Sequence, residues 1–223
     1  MGAKCLLLYH PPGGGAPTGA DAERVVSALQ RVCAARDMTA VTAPRSMCDV
    51  WLLQLPRDAP DRVFLCNLKA RQAVEADASI AQALLDKRLE YRAKAMFLVT
   101  SRTWQLGDRR GSDASVKLLQ LQVHGQAPLA VALEVTYHPV SSPAAAAPAL
   151  AELSAALAAA LDGAPDAGRL EVLAAPWEDF AAWLPPEASP AHTAVLYAHL
   201  VVTALRERGA AAAAARRAAA AAP

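Results

Sequence analysis

A hydrolytic site needs a nucleophile beside a base, or two acids facing one another across a substrate. Few residues of this chain stand in such an arrangement. Glu75 and Asp77 lie two apart beside Ser79, and that pattern suits the entry of a helix, through capping and the macrodipole, better than an acid/base couple. No Gly-x-Ser-x-Gly occurs. The run Pro11-Pro12-Gly13-Gly14-Gly15 lacks the Gly-Lys-Ser/Thr that completes a phosphate loop, so it predicts a flexible turn. His10 and His138 stand at strand ends before prolines, and His124 precedes Gly125, so all three are expected in exposed loops. His192 and His199 are seven apart, about 10 Å along one helix face, with no third ligand between them. Cys5, Cys33, Cys48 and Cys66 form no Cys-x-x-Cys and read as scattered reduced thiols. No catalytic, cofactor-binding or metal-binding residue is assigned.

One carboxylate remains, Glu134, and its setting is the most informative stretch of the chain. From Leu129 to Tyr137, large apolar residues (Leu129, Val131, Leu133, Val135, Tyr137) alternate with Ala130, Ala132, Glu134 and Thr136. That period of two puts one hydrophobic row on one face of a strand, which His138-Pro139 ends. A barrel enzyme acting on phosphates would line its lumen with alternating acids and bases. The minor row here carries a single carboxylate, too little charge for a metal site or a catalytic lumen. The strand is therefore expected to be buried against its own helices or another protein, with no buried polar chemistry.

The other elements are predicted from the same periodicities. Strands are expected at Lys4 to His10, Val50 to Leu55 and Arg62 to Leu68, the last in a hairpin with Gln72 to Ala76. A further strand at Ala93 to Thr100 is followed by a segment from Ser101 to Leu106 that contains Trp104 and ends at the Gly107-Asp108 turn. In Val116 to Val123 the apolar phase slips, which predicts a β-bulge or a strand buried on both faces. Helices are expected at Asp21 to Ala35, with Asp21 as N-cap, and from about Ser79 to Glu90, with Ile80, Leu84 and Leu85 as its buried stripe. Another carries Leu150, Leu153, Leu157 and Leu161, is preceded by Pro148 and closes at Asp162-Gly163. A last helix follows Ser189-Pro190, after an aromatic cluster of Trp177, Phe180 and Trp183 at helical spacing. This order predicts an α+β fold: an antiparallel, barrel-like β-sheet with flanking helices. One domain is expected over 1–208, with an alanine-rich low-complexity tail over 209–223.

Lysine and arginine number 22 against 21 aspartates and glutamates, so the chain exerts no general pull on nucleic acid or anionic membrane. Basic residues cluster locally at Lys87-Arg88, Arg92, Lys94, Arg102 and Arg109-Arg110. That cluster reads as solvated surface or as a patch for an acidic partner; the interleaved aromatics of a single-strand binder are missing. Cys5 to Tyr9 is too short for a signal sequence, and the alanine runs are expected to be too weakly apolar to cross a membrane. A soluble intracellular protein is the expectation.

Several segments, in order, resemble subunit 20 of the Mediator complex, in its plant and green-algal form. They are Val74-Glu75-Ala76-Asp77-Ala78-Ser79-Ile80, then Trp104-Gln105-Leu106-Gly107-Asp108, where the family usually shows tyrosine at the first position. Leu133-Glu134-Val135-Thr136-Tyr137-His138-Pro139-Val140-Ser141-Ser142 and His192-Thr193-Ala194-Val195-Leu196-Tyr197-Ala198 follow. The chain departs from the family pattern at Arg109-Arg110-Gly111, at Gln126-Ala127-Pro128 and in a short segment from Met38 to Arg57. The resemblance implies a non-enzymatic, nuclear subunit of the Mediator head module, a coactivator acting on RNA polymerase II transcription through protein–protein contacts. It implies direct pairing with Mediator subunit 18, a tether through the C-terminal helix of subunit 8, and contacts with other head subunits and the polymerase machinery. No cofactor, no sequence-specific nucleic acid and no membrane follow from it. Two alternatives stand beside it: a small barrel-fold phosphoester hydrolase, and a trafficking-type adaptor with the basic residues from Lys87 to Lys94 as the hint of its membrane surface.

Overall fold

The computed structural model describes residues 1–32, 40–42, 45–47, 50–85, 95–106, 113–123, 126–162 and 168–221. Its elements run β1 (Ala3–His10), α1 (Gly19–Val32), β2 (Ala40–Thr42), β3 (Arg45–Met47), β4 (Val50–Leu55), β5 (Ala59–Asn67), β6 (Gln72–Asp77) and α2 (Ala78–Leu85). They continue β7 (Ala95–Leu106), β8 (Ala114–Val123), β9 (Pro128–Tyr137), α3 (Pro143–Asp162), β10 (Arg169–Leu173), a 3₁₀ turn (Glu178–Phe180) and α4 (Pro190–Ala221). The fold is α+β, and every strand pair is antiparallel. The described strands follow one open path, β10-β1-β9-β8-β7-β3-β4-β5-β6, with β2 alongside β7.

The centre of the sheet is covered on both faces. Val131, Leu133 and Val135 of β9 pack with Leu7, Val116 and Leu118 against α1 and α3. Ala130 and Ala132 turn the other way, into a second cluster with Leu6, Leu8, Leu119 and Leu121. That cluster gathers Leu53, Phe64 and Cys66 from the far strands around Ala194, Val195, Leu196 and Leu200 of α4. The small residues of the minor row are what let a helix lie close on that face. Neither face of the central strands is therefore left for a partner; the free surfaces are at the edges.

β8 shows both halves of its predicted irregularity: Val116 and Leu118 serve one core and Leu119 and Leu121 the other. The register shift falls between Leu121 and Gln122, at its end. Several expectations are corrected. Thr18, not Asp21, caps α1: its backbone N–H and hydroxyl donate to Asp21 Oδ2 at 2.8 and 2.6 Å, and Asp21 N–H donates back to Thr18 Oγ1 at 3.3 Å. This is a reciprocal capping box with aspartate in the third position. Pro148 lies inside α3, which begins at Pro143. In α2 Ala81 is buried and Ile80 exposed; the side chains of Leu84 and Leu85, and residue Glu90, lie outside the described residues. From Ala95 on, the segments expected at 93–100 and 101–106 form the single strand β7, and residues 93 and 94 lie outside the described residues. Trp177, Phe180 and Trp183 share no helix face: Trp177 precedes a 3₁₀ turn that ends at Phe180, and Trp183 lies in the turn after it, with Phe180 buried and Trp183 exposed. β2, β3 and β10 have no counterpart in the sequence reading. The tail continues α4 as a helix to Ala221.

α3 also departs from the membrane expectation. Over Pro143–Asp162, with a mean hydropathy of 1.6, it is long and apolar enough to cross a bilayer by length and composition. In this fold Ala146, Leu150, Ser154, Leu157 and Leu161 are buried on the sheet.

Candidate functional site

Two places hold chemistry, and adjacent residues of β1 open onto them. The first lies beneath α4. The pairing of β8 with β9 sets Lys117 directly opposite Glu134, and the pairing of β1 with β9 sets Leu6 opposite it, with Lys4 one same-face step away. Both ammonium groups reach Glu134 Oε1, Lys117 at 3.0 Å and Lys4 at 3.2 Å. These contacts are charge pairs whose angles fall short of aligned hydrogen bonds. Lys4 Nζ also donates to Asp58 Oδ2 at 3.2 Å and to Thr193 Oγ1 of α4 at 3.0 Å. Tyr197, one helical turn beyond Thr193, brings its hydroxyl to the same carboxylate.

Glu134 is 1% exposed. Burial by itself would raise its pKa, but the charges of Lys4 and then Lys117 overcome it and hold the carboxyl down at about 2. For Lys4 burial favours the neutral amine, and Glu134 and Asp58 outweigh it, leaving the group above its ordinary value. Burial, then the charge of Glu134, push the Tyr197 phenol well above the usual range. Two lysines and two carboxylates thus meet in one network. The sequence reading expected no buried polar chemistry here and is corrected. The missed signal was register: Lys4 precedes Leu6 and Leu8 at steps of two, and Lys117 precedes Leu119 and Leu121, so each lysine sits on the apolar face that looks at α4.

Chemically the network is closed. The cavity beside it, lined by Leu55, Pro56, Arg57, Asp58, Ser101, Lys117 and Tyr197, measures about 20 Å³, room for a water and not for a substrate. A carboxylate already matched by two ammonium groups is a poor base. The hydrolase alternative needs convergent carboxylates or lysines around Glu134; Asp58, Lys4 and Lys117 supply them here, but beside a space of only about 20 Å³.

The second place is a groove of about 790 Å³ between the first half of α3 and the chain that leaves β10. Its floor is Lys4 and Cys5; one wall is the Ala144, Ala147, Ala151 and Ser154 face of α3; Leu173, Trp177 and Leu184 form the other. Cys5 Sγ lies 3.5 Å from Ser154 Oγ, and burial raises its pKa. At the far end, the Ser189 N–H donates to His192 Nδ1 at 3.2 Å, which assigns the ring proton to Nε2. Trp177 meets that ring edge-on at 5.0 Å, and burial lowers the ring's pKa.

The remaining polar residues read from sequence are dispersed. Asp77 accepts the Ser79 N–H at 2.9 Å at the start of α2, as a helix-entry acid should, while Glu75 pairs across the hairpin with Arg62 at 3.6 Å. His138 is exposed and meets Ser115 Oγ at 3.1 Å. His10 is less exposed than expected and lies 3.4 Å from Glu171 of β10, a strand the sequence reading did not anticipate. Cys5 and Cys66 are free thiols. Among the described residues no three His, Cys, Asp or Glu side chains converge as a metal site would need. Lys87, Arg88, Arg92, Lys94, Arg109, Arg110, His124, Gly125, Cys33 and Cys48 lie outside the described residues. No protein family matches the chain, and no curated protein matches it.

Proposed function

We infer that the chain is a non-enzymatic subunit of the Mediator head module, of the subunit 20 type, working in the nucleus by pairing with Mediator subunit 18. The C-terminal helix of subunit 8, other head subunits and the RNA polymerase II machinery complete its surroundings. In this reading its sheet is curled towards a barrel, with α4 inside the curl. The observation that carries the reading is the order of the four sequence segments, over roughly residues 60 to 205. Two of them, Leu133 to Ser142 and His192 to Ala198, supply Glu134, Thr193 and Tyr197 to the network under α4. The resemblance thus falls on residues that fix a helix to a sheet, where a family has reason to keep both types and spacing.

The test is co-expression with subunit 18 of the same organism. The reading expects a stable one-to-one complex and, from cell extracts, recovery of the tagged chain with a large nuclear assembly. A soluble, stable chain with no affinity for subunit 18 would end it.

A further inference from the structure

The groove carries an inference independent of the family reading. β10 pairs with β1 only from Leu6 to His10. Ala3, Lys4 and Cys5 pair with β9 on one side; on the other, the Ala3 N–H donates to the Val140 carbonyl at 3.1 Å, and among the described residues no strand continues β10 beside Lys4 and Cys5. Lys4 and Cys5 are also the floor of the groove. An apolar slot therefore runs along a strand edge whose ladder is half made, and backbone groups on such an edge are templates for a further strand. β10 stops short for a reason of its own: after Leu173 the chain turns away through Ala174, Ala175 and Pro176 to the 3₁₀ turn.

We propose that this groove is a docking site for an extended, apolar segment of another protein, flanked by basic residues, which adds as a short strand to the open edge of β1. The walls ask for large side chains. Ala144, Ala147 and Ala151 of α3 are exposed and fill nothing, and Val172 of β10 is 58% exposed at the lip. The charge at the mouth asks for cations. Glu178 lines the groove, and Glu152 and Glu187, beside lining residues in the chain, are exposed. The one lysine in the lining, Lys4, is already matched by Glu134 and Asp58. Strand addition uses both parts of such a slot: main-chain hydrogen bonds supply affinity and side-chain pockets supply selectivity.

The chain's own tail is the competing occupant, because Arg216 and Arg217 suit the acidic mouth. Its alanines could not fill a groove already walled by alanine, and a helix has no free backbone groups to offer β1.

The probe is a fluorescein-labelled peptide, Lys-Arg-Val-Leu-Val-Leu-Val-Arg-Lys, titrated into the full chain carrying Cys33→Ser and Cys48→Ser. A contact this small is expected to bind with a Kd on the order of 10 µM and to slow alkylation of Cys5. Ala147→Trp or Ala151→Arg, each on an exposed position that leaves the urea midpoint unchanged, should weaken binding about tenfold. Methylating alternate peptide nitrogens should weaken it about as much, because strand addition needs those donors. Glu178→Lys should weaken it about threefold at low salt and less at high salt. The proposal is overturned by no binding at 1 mM peptide, by equal binding of the methylated peptide, or by indifference to both groove-filling variants. Self-association abolished by removing 209–223 and competing with the peptide would assign the groove to a second copy instead.

Discussion

Lys4 sends its ammonium into a closed, charged pocket beneath α4; Cys5, the next residue, opens onto an apolar groove beside α3. The two regions reverse the usual division, in which charge faces water and apolar surface is hidden. The closed region is polar where burial is complete, and the open one is apolar where solvent has access. Buried charge is costly, so its presence under α4 needs a reason other than stability, and our hypothesis is placement. α4 carries alanines and valines that could slide along a surface of small residues. Thr193 and Tyr197 give it one seat, on Lys4 and Glu134. The open region has the opposite character: little in it fixes a geometry, and its walls are small.

The largest expected effect breaks the closed side. Glu134→Gln leaves two ammonium groups with one carboxylate, and removal of one partner of a buried pair typically costs about 3–5 kcal/mol. The urea midpoint should fall accordingly. The combined variant Lys4→Met, Lys117→Met, Glu134→Leu should recover most of that loss. If the charges place α4, the combined variant will be stable yet show exchange broadening in the NMR signals of α4. Sharp, single signals there would leave the charges without the placing role.

The next effect follows from pH. The Glu134 carboxyl is held at about 2 in the folded chain against an ordinary 4.5. A depressed acid contributes its stability above its unfolded pKa and loses it as pH falls through the folded one. The network should therefore contribute fully above pH 4.5 and lose about 3 kcal/mol between there and pH 2. In Glu134→Gln that share of the acid dependence should vanish. An unchanged acid limb in the variant would show that other carboxylates carry it.

A third, smaller contrast uses the two described thiols. Burial pushes Cys66 up to about 12, so at pH 8 its thiolate fraction is on the order of 10⁻⁴. Cys5 is also raised by burial but borders the groove. With Cys33 and Cys48 replaced by serine, Cys5 should react with an alkylating reagent in the native chain. Cys66 should react only as the chain unfolds, in step with urea. Equal native rates would mean that the groove does not admit the reagent.

How much of this was legible in the sequence divides along the same line. Strands with a period of two or a continuous apolar run, β1, β4 and β9, stand close to where they were expected. What failed was short or depended on partners. β10 carries Arg169-Leu-Glu-Val-Leu, an alternation of only five residues, and it is entered through Gly168, whose missing Cβ is the room taken by the His10 carbonyl. The groove exists because β10 stops, so it could not be foreseen without it. The network was half legible: Glu134 was singled out, but its lysines lie on strands 17 residues away and near the chain start, and only the register of three strands joins them. A lone lysine in an apolar strand is the signal that points to such a network.

The smallest expected effect concerns the end of α4. Beyond Leu205 every described side chain is exposed, through Arg216, Arg217 and the alanines to Ala220. An isolated alanine helix of this length is marginal in water, because the first turn is costly to nucleate. Here nucleation is already complete, since Ala194 to Ala204 are packed in the core, and the tail has only to propagate. Gly209 is the weak point, with nothing within 4 Å of a Cβ added there. Gly209→Ala should strengthen propagation locally by about 1 kcal/mol, and Gly209→Pro should cut the helix, removing its far-ultraviolet signal from there on. In both variants the urea midpoint should move by less than about 0.5 kcal/mol of stability, since no described side chain beyond Leu205 is buried. A larger shift would mean that the tail rests on the body of the protein.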